Sequence, residues 1–88
     1  MATLALRADE RVKAVRVGRD VLTVDLMDGR TLSVPLAWYP RLADASPEAL
    51  RNWEVARAGY GIHWPDLDED LSTEGLLRGA PSPQLRSR

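Results

Sequence analysis

Residues 59–72, GYGIHWPDLDEDLS, gather the side chains of this chain with the most chemical potential: its single histidine, a tyrosine, a serine and four acids, set among two glycines, a tryptophan and a proline. Three chemistries suit such a set. His63 with Asp66, Asp68 and Asp70 combines one imidazole with several carboxylate oxygens, the hard donors that Mg²⁺ or Mn²⁺ takes. His63 with Asp66 or Asp68 also pairs a general base with an orienting acid, and Ser72 or Tyr60 would supply a hydroxyl. The acids alone offer a docking face for a basic partner.

Spacing weighs against the first two. A calcium-type loop alternates acids around a glycine at its sixth place and ends on a glutamate, an order that DLDEDLSTEG lacks. One histidine and no cysteine leave no nitrogen or sulfur set for a transition metal. No nucleophile elbow, phosphate-cradling glycine loop or paired-carboxylate scaffold surrounds His63, and a chain of 88 residues has little volume for a deep pocket. A hydrogen-bonded structural histidine, no cofactor and no catalytic residues are therefore expected. The acids are a different matter. One or two carboxylates satisfy a helix N-terminus, at about 0.3 to 1 kcal/mol each. Asp66, Asp68, Glu69, Asp70 and Glu74 exceed that need with no base between them, which leaves a docking face or plain solubility.

The composition is that of a folded domain, with 44% apolar and 28% charged residues. One domain is expected over 9–79, with an N-terminal extension at 1–8 and a disordered, basic, proline- and serine-rich tail at 80–88. There is no phenylalanine, so Trp38, Tyr39, Trp53, Tyr60 and Trp64 must carry much of the packing rather than stack on bases. The absence of cysteine and of any apolar run of about 20 residues points to a cytoplasmic chain with no membrane contact. A net charge of −1 gives no overall pull toward nucleic acid. Locally, Arg7, Arg11, Lys13, Arg16 and Arg19 make the first strand region basic, a pattern that blunts an exposed edge or makes weak phosphate contacts.

The elements that must position these residues follow from periodicity. VKAVRVG reads as a strand, GRD as a tight turn with Gly18 available for positive φ, and VLTVDLM as a half-buried strand with Leu22, Val24 and Leu26 inward. Asp28-Gly29 predicts a type I′ hairpin turn, and TLSVPL returns with Leu32, Val34 and Leu36 inward; Pro35 lacks a ladder donor, so this strand either ends there or lies at an edge on that side. AWYPRLADA is one helical turn that lays Trp38 and Leu42 over the sheet. Ser46, Pro47 and Glu48 open a helix that buries Leu50 and Trp53, runs through Arg57 and stops at Gly59. YGIHW is a short fourth strand ended by Pro65. Ser72 caps a last helix that Gly79 stops. The fold class is α+β: a small antiparallel sheet, a three-stranded meander plus a short fourth strand, packed with two or three short helices.

DGRTLSVPLAWYPRL and NWEVARAGYGIHWPDLDEDLSTEGLL together resemble the signature of a small bacterial family of unknown function, over roughly residues 12 to 79. The resemblance implies a compact α+β domain, free-standing or fused to a C-terminal helix-turn-helix. It also implies a second small protein encoded alongside, the pair acting as toxin and antitoxin with this family as the antitoxin. The residues after Gly79 are too few for a helix-turn-helix, so protein binding is the expected inheritance. The predicted surface comprises Asp66, Asp68, Glu69, Asp70, Glu74, His63 and Trp64, with Arg41 paired to one of the acids. The partner is a neighbouring-gene product, and a homo-oligomer is the other assembly compatible with this surface. A nucleic-acid-associated regulator using the basic strand, and a small metal-dependent enzyme, are the readings of other classes.

Overall fold

The computed structural model describes residues 7–81. Two three-stranded antiparallel sheets follow each other along the chain, with order β1-β2-β3 and β4-β5-β6. The first comprises β1 (Val12–Val17), β2 (Val21–Leu26) and β3 (Thr31–Pro35). The second comprises β4 (Glu54–Ala56), β5 (Gly61–Trp64) and β6 (Glu69–Ser72). Between them lie α1 (Pro40–Ala43) and α2 (Pro47–Arg51), and α3 (Thr73–Arg78) follows the second sheet. This is the α+β architecture that the patterning predicts, except that the fourth strand is the centre of a second meander. The N-terminal extension at 1–8 and the tail at 80–88 fall largely outside the described residues.

Alternation decides which side chains go inside. Leu22, Val24 and Leu26 of β2 are fully buried, and Val34 and Leu36 meet them from β3 and the tight helical turn Leu36–Trp38 that follows it. On β1 the alternation slips. The pairing steps from Val12 opposite Leu26 to Ala14 opposite Asp25, so Lys13 is an extra, exposed residue. That bulge lets Val12 and Val15, three apart, both face the core.

The hairpin turns differ from their expected types. Leu26 N donates to Arg30 O and Gly29 N to Leu26 O, while Gly29 alone has positive φ, at 99°. This is a three-residue loop with glycine in the left-handed place, not a type I′ turn. The Gly18 turn closes with no positive φ at Gly18.

Residues 52–60 depart from the expected helix. The helix opened by Ser46, whose Oγ accepts from Ala49 N at 3.2 Å, stops at Arg51. Glu54, Val55 and Ala56 then pair with His63, Ile62 and Gly61 of β5. Trp53 lies beyond the helix, and Gly59 is not a helix terminus but part of the β4–β5 turn, where Arg57, Ala58 and Gly59 all have positive φ. A Cβ on Gly59 would come within 2.9 Å of Arg11 Cγ, so both the conformation and the contact require glycine there.

Both sheets contribute to one core. Ile62, Trp64 and Leu71 come from the second, with Tyr39, Leu42 and Leu76 from the helical segments. Trp64 is the largest fully buried side chain, and its Nε1 donates to Leu50 O at 3.1 Å, which ties β5 to α2. No helix among the described residues is long and apolar enough to cross a membrane.

Candidate functional site

The candidate residues meet on the second sheet because of its register. β5 pairs with β6 so that His63 lies opposite Asp70 and Trp64 opposite Glu69, while β4 places Glu54 opposite His63. Successive residues of a strand point to opposite faces. Ile62 and Trp64 therefore enter the core, and Glu54, His63 and Asp70 line up across the three strands on the outer face. His63 Nδ1 lies 2.9 Å from Asp70 Oδ1, a hydrogen bond that becomes an ion pair when the ring is protonated. Gly61 sits on the same face beneath the Arg57 side chain, which a Cβ would meet at 2.8 Å.

The remaining acids divide between surface and interior. Asp66, in the tight turn Pro65–Leu67, is exposed and accepts from Asn52 Nδ2 at 3.0 Å. Asp68 is exposed in the left-handed region, at φ 50°, and turns the chain into β6. Glu74 is exposed in the first turn of α3 and pairs with Arg78 at 2.9 Å. Ser72, one of the candidate hydroxyls, accepts from Gly75 N at 3.0 Å and so caps α3. Tyr60 is about half exposed at the β4–β5 turn.

Glu69 and Trp64 belong to the interior, which corrects their expected place on a docking face. Alternation on β6 sends Glu69 inward beside Trp64, where only 7% of it is exposed. Burial pushes its carboxyl above the usual range, against the opposing pull of the Arg41 guanidinium. Glu69 Oε2 and Tyr39 Oη are both buried without a hydrogen-bond partner among the described residues. The Tyr39 hydroxyl is raised as well, by burial first and then by the Glu69 charge. Arg41 reaches the acidic segment, where its guanidinium donates to Asp68 O at 2.6 Å.

Among the described residues, no three of the types His, Cys, Asp and Glu come together as a metal-holding group. His63 and Asp70 form a dyad with no hydroxyl committed to it, since Ser72 serves as a helix cap. The arrangement can exchange a proton and can attract a cation or a basic side chain.

A second cluster explains DGR, for which sequence reasoning saw only a turn. The Asp28 carboxylate, 5% exposed, accepts from Asp9 N at 2.9 Å, from Arg30 N at 3.0 Å and from the Arg30 guanidinium at 2.8 Å. It lies well below the usual carboxylate range, held there first by the Arg30 side chain and then by the two backbone N–H groups. Asp25, bonded to Arg16 and Thr31, and Asp9, bonded to Arg11, are lowered for the same kind of reason. These acids clasp the first sheet and are not part of the outer face of the second.

Comparison with known proteins agrees with this architecture. A solved structure of a protein of unknown function from Rhodospirillum rubrum ATCC 11170 is 35% identical, with a TM-score of 0.71 over 85% of this chain and 93% of that one. The solution structure of the uncharacterized protein CV0863 from Chromobacterium violaceum is 29% identical, with a TM-score of 0.71 over 88% of this chain and 73% of that one. No match is found among curated proteins. The family model of proteins of unknown function DUF2442 matches residues 12–82, which takes in all six strands and all three helices. The chain belongs to the DUF2442 family.

Proposed function

We propose that this chain is a protein-binding domain whose docking surface is the outer face of the second sheet with its flanking acids, and that its partner presents a basic surface. The observation that carries this reading is the register that aligns Glu54, His63 and Asp70 across three strands, with Asp66 and Asp68 exposed in the turn that leads into β6 and Glu74 exposed at the start of α3. Like charges on one face repel each other and cost stability, and a basic partner removes that cost while gaining speed of association. The buried wall behind the face, Ile62, Trp64 and Leu71, keeps it rigid. The role is occlusion: the acidic face covers a functional basic surface on a second small protein, as the antitoxin-like half of a two-gene module.

The test uses the purified product of the neighbouring gene and a variant with Asp66, Asp68 and Asp70 changed to Asn and Glu74 to Gln. Glu69 stays, because it is buried. Binding to the parent should fall as salt rises, and the variant should bind at least tenfold more weakly. Equal affinity of the two chains for the partner would remove the acidic face from the mechanism.

A further inference from the structure

We infer a second binding site, separate from the acidic face: the open edge of β1 beside α2 takes up an extended, acidic segment of another protein as an added strand. β1 is an outer strand of its sheet, pairing among the described strands with β2 alone. In an antiparallel ladder, alternate residues turn their N–H and C=O groups toward the partner strand and away from it. Gly18 N bonds Val21 O at 2.9 Å, and counting back from that pair sets Arg16 and Ala14 toward β2. Val15 and Val17 then point their main-chain groups outward. No hydrogen bond between these groups and another described element occurs.

A groove lies along that edge. It has a volume of about 460 Å³ and is lined by Val15, Val17, Pro47, Leu50 and Trp53, with the exposed Arg16 and Arg51 beside them. An edge strand facing a helix across an apolar groove is the geometry of strand addition: main-chain bonds supply affinity, and the groove takes every second side chain. α2 is held in place by the hydrogen bond from Trp64 Nε1 to Leu50 O. β4 and β3 are poorer candidates, since β4 has three residues and β3 ends in proline.

Charge selects the occupant. Lys13, Arg19 and Arg51 make no ion pair with any described acid, whereas Arg11, Arg30 and Arg78 are all paired. Arg16 bonds Asp25 across the sheet and remains 60% exposed. Glu48 is on α2 but does not line the groove. A second copy adding by the same edge would set two rows of basic residues side by side, which is unfavourable. An incoming strand that alternates apolar side chains with Asp or Glu meets both the groove and its charge.

The probe is a ten-residue capped peptide alternating Val or Thr with Glu, with one counterpart carrying Lys for Glu and another N-methylated on alternate amides. Titration of the full chain, followed residue by residue by NMR, should show saturable binding, with exchange of the Val15 and Val17 amide hydrogens slowed at least tenfold. The Lys and N-methylated peptides should bind at least tenfold more weakly, and Arg51→Glu should weaken the Glu peptide at least fivefold. Neutralising the acidic face should leave this binding unchanged, so failure here and failure of the proposed function are distinguishable. The inference is overturned if the Lys peptide binds equally well, if the perturbed residues lie on β4 or the acidic face, or if the Val15 and Val17 amides gain protection only through self-association. It is also overturned if no binding occurs at roughly 1 mM peptide, a concentration that reveals affinities down to about −4 kcal/mol. Should Arg51→Glu fail to fold, the Glu-to-Lys exchange in the peptide reads the same charge dependence on the parent chain.

Discussion

Two carboxylates of this small domain, the half-buried Asp28 and the buried Glu69, have opposite electrostatic settings. Asp28 is held ionised by the Arg30 guanidinium and two N–H groups, so it contributes stability above its unfolded value, near 4, and loses that contribution as the pH falls below it. Glu69 is raised by burial, so its contribution is complete below its unfolded value and is lost as the pH rises through its folded one. Two predictions follow from those signs. Asp28→Asn should lower the urea midpoint at pH 7, with the gap to the parent narrowing below about pH 4. Glu69→Gln should gain on the parent as the pH rises from about 4 to 7. A gap of constant size across that range would remove ionised Glu69 as a source of strain. Arg41 adds a third prediction at this scale. Its guanidinium donates to the carbonyl of Asp68, a group that Asp68→Ala retains, so this bond predicts that Arg41→Ala and Asp68→Ala are additive in stability. A coupling above about 0.5 kcal/mol would mean that the Asp68 carboxylate is the true partner.

At the scale of elements, caps and turns carry most of the local instruction. Ser46 and Ser72 each accept from the N–H three residues on, and each can be read directly in the chain ahead of Pro47-Glu48 and Thr73-Glu74. Ser72→Ala should cost about 1 kcal/mol by chemical denaturation, the ordinary worth of such a cap. The β4–β5 turn runs the other way. Ala58 is held at φ 56°, a conformation that costs an ordinary residue about 1 to 2 kcal/mol. Ala58→Gly should raise stability by up to about 1 kcal/mol, and an unchanged or lower midpoint would show that the alanine methyl group contributes packing that outweighs the strain. The elements that local reading missed are β4 and β6. Glu54–Ala56 is three residues long, too short to separate a period of 2 from one of 3.6, and it follows a well-signalled helix start. Glu69–Ser72 lay hidden in an acidic run, although its Leu71 and Ser72 alternate inward and outward once the strand is recognised.

For the whole molecule, the two meanders share one core, so the second sheet stands or falls with the first. Trp64 sits where they meet, fully buried and bonded to α2. Trp64→Ala should cost about 3 to 5 kcal/mol, most of the stability of a domain this size, and leave little folded chain at 37 °C by circular dichroism. Exposed acids stand on the outer face of the second sheet, shared there with His63 and Arg57, while Lys13, Arg19 and Arg51, which pair with no described acid, lie in β1, the turn after it and α2.

The sequence by itself determined the α+β class, the first meander with its inward Leu22, Val24 and Leu26, both serine caps and the close of β3 at Pro35. All of these arise from neighbours a few residues apart: alternation, a cap three positions away, a missing N–H. Tertiary structure decided the rest. The pairing of Glu54 and Asp70 with His63 spans strands, so it exists only once β4 and β6 have found β5. The same register sends Glu69 inward and leaves Asp70 outside, because on a strand adjacent residues must take opposite faces. A run of acids in the chain therefore became one buried carboxylate and an exposed acidic face, a division that no spacing of charges in the sequence specifies.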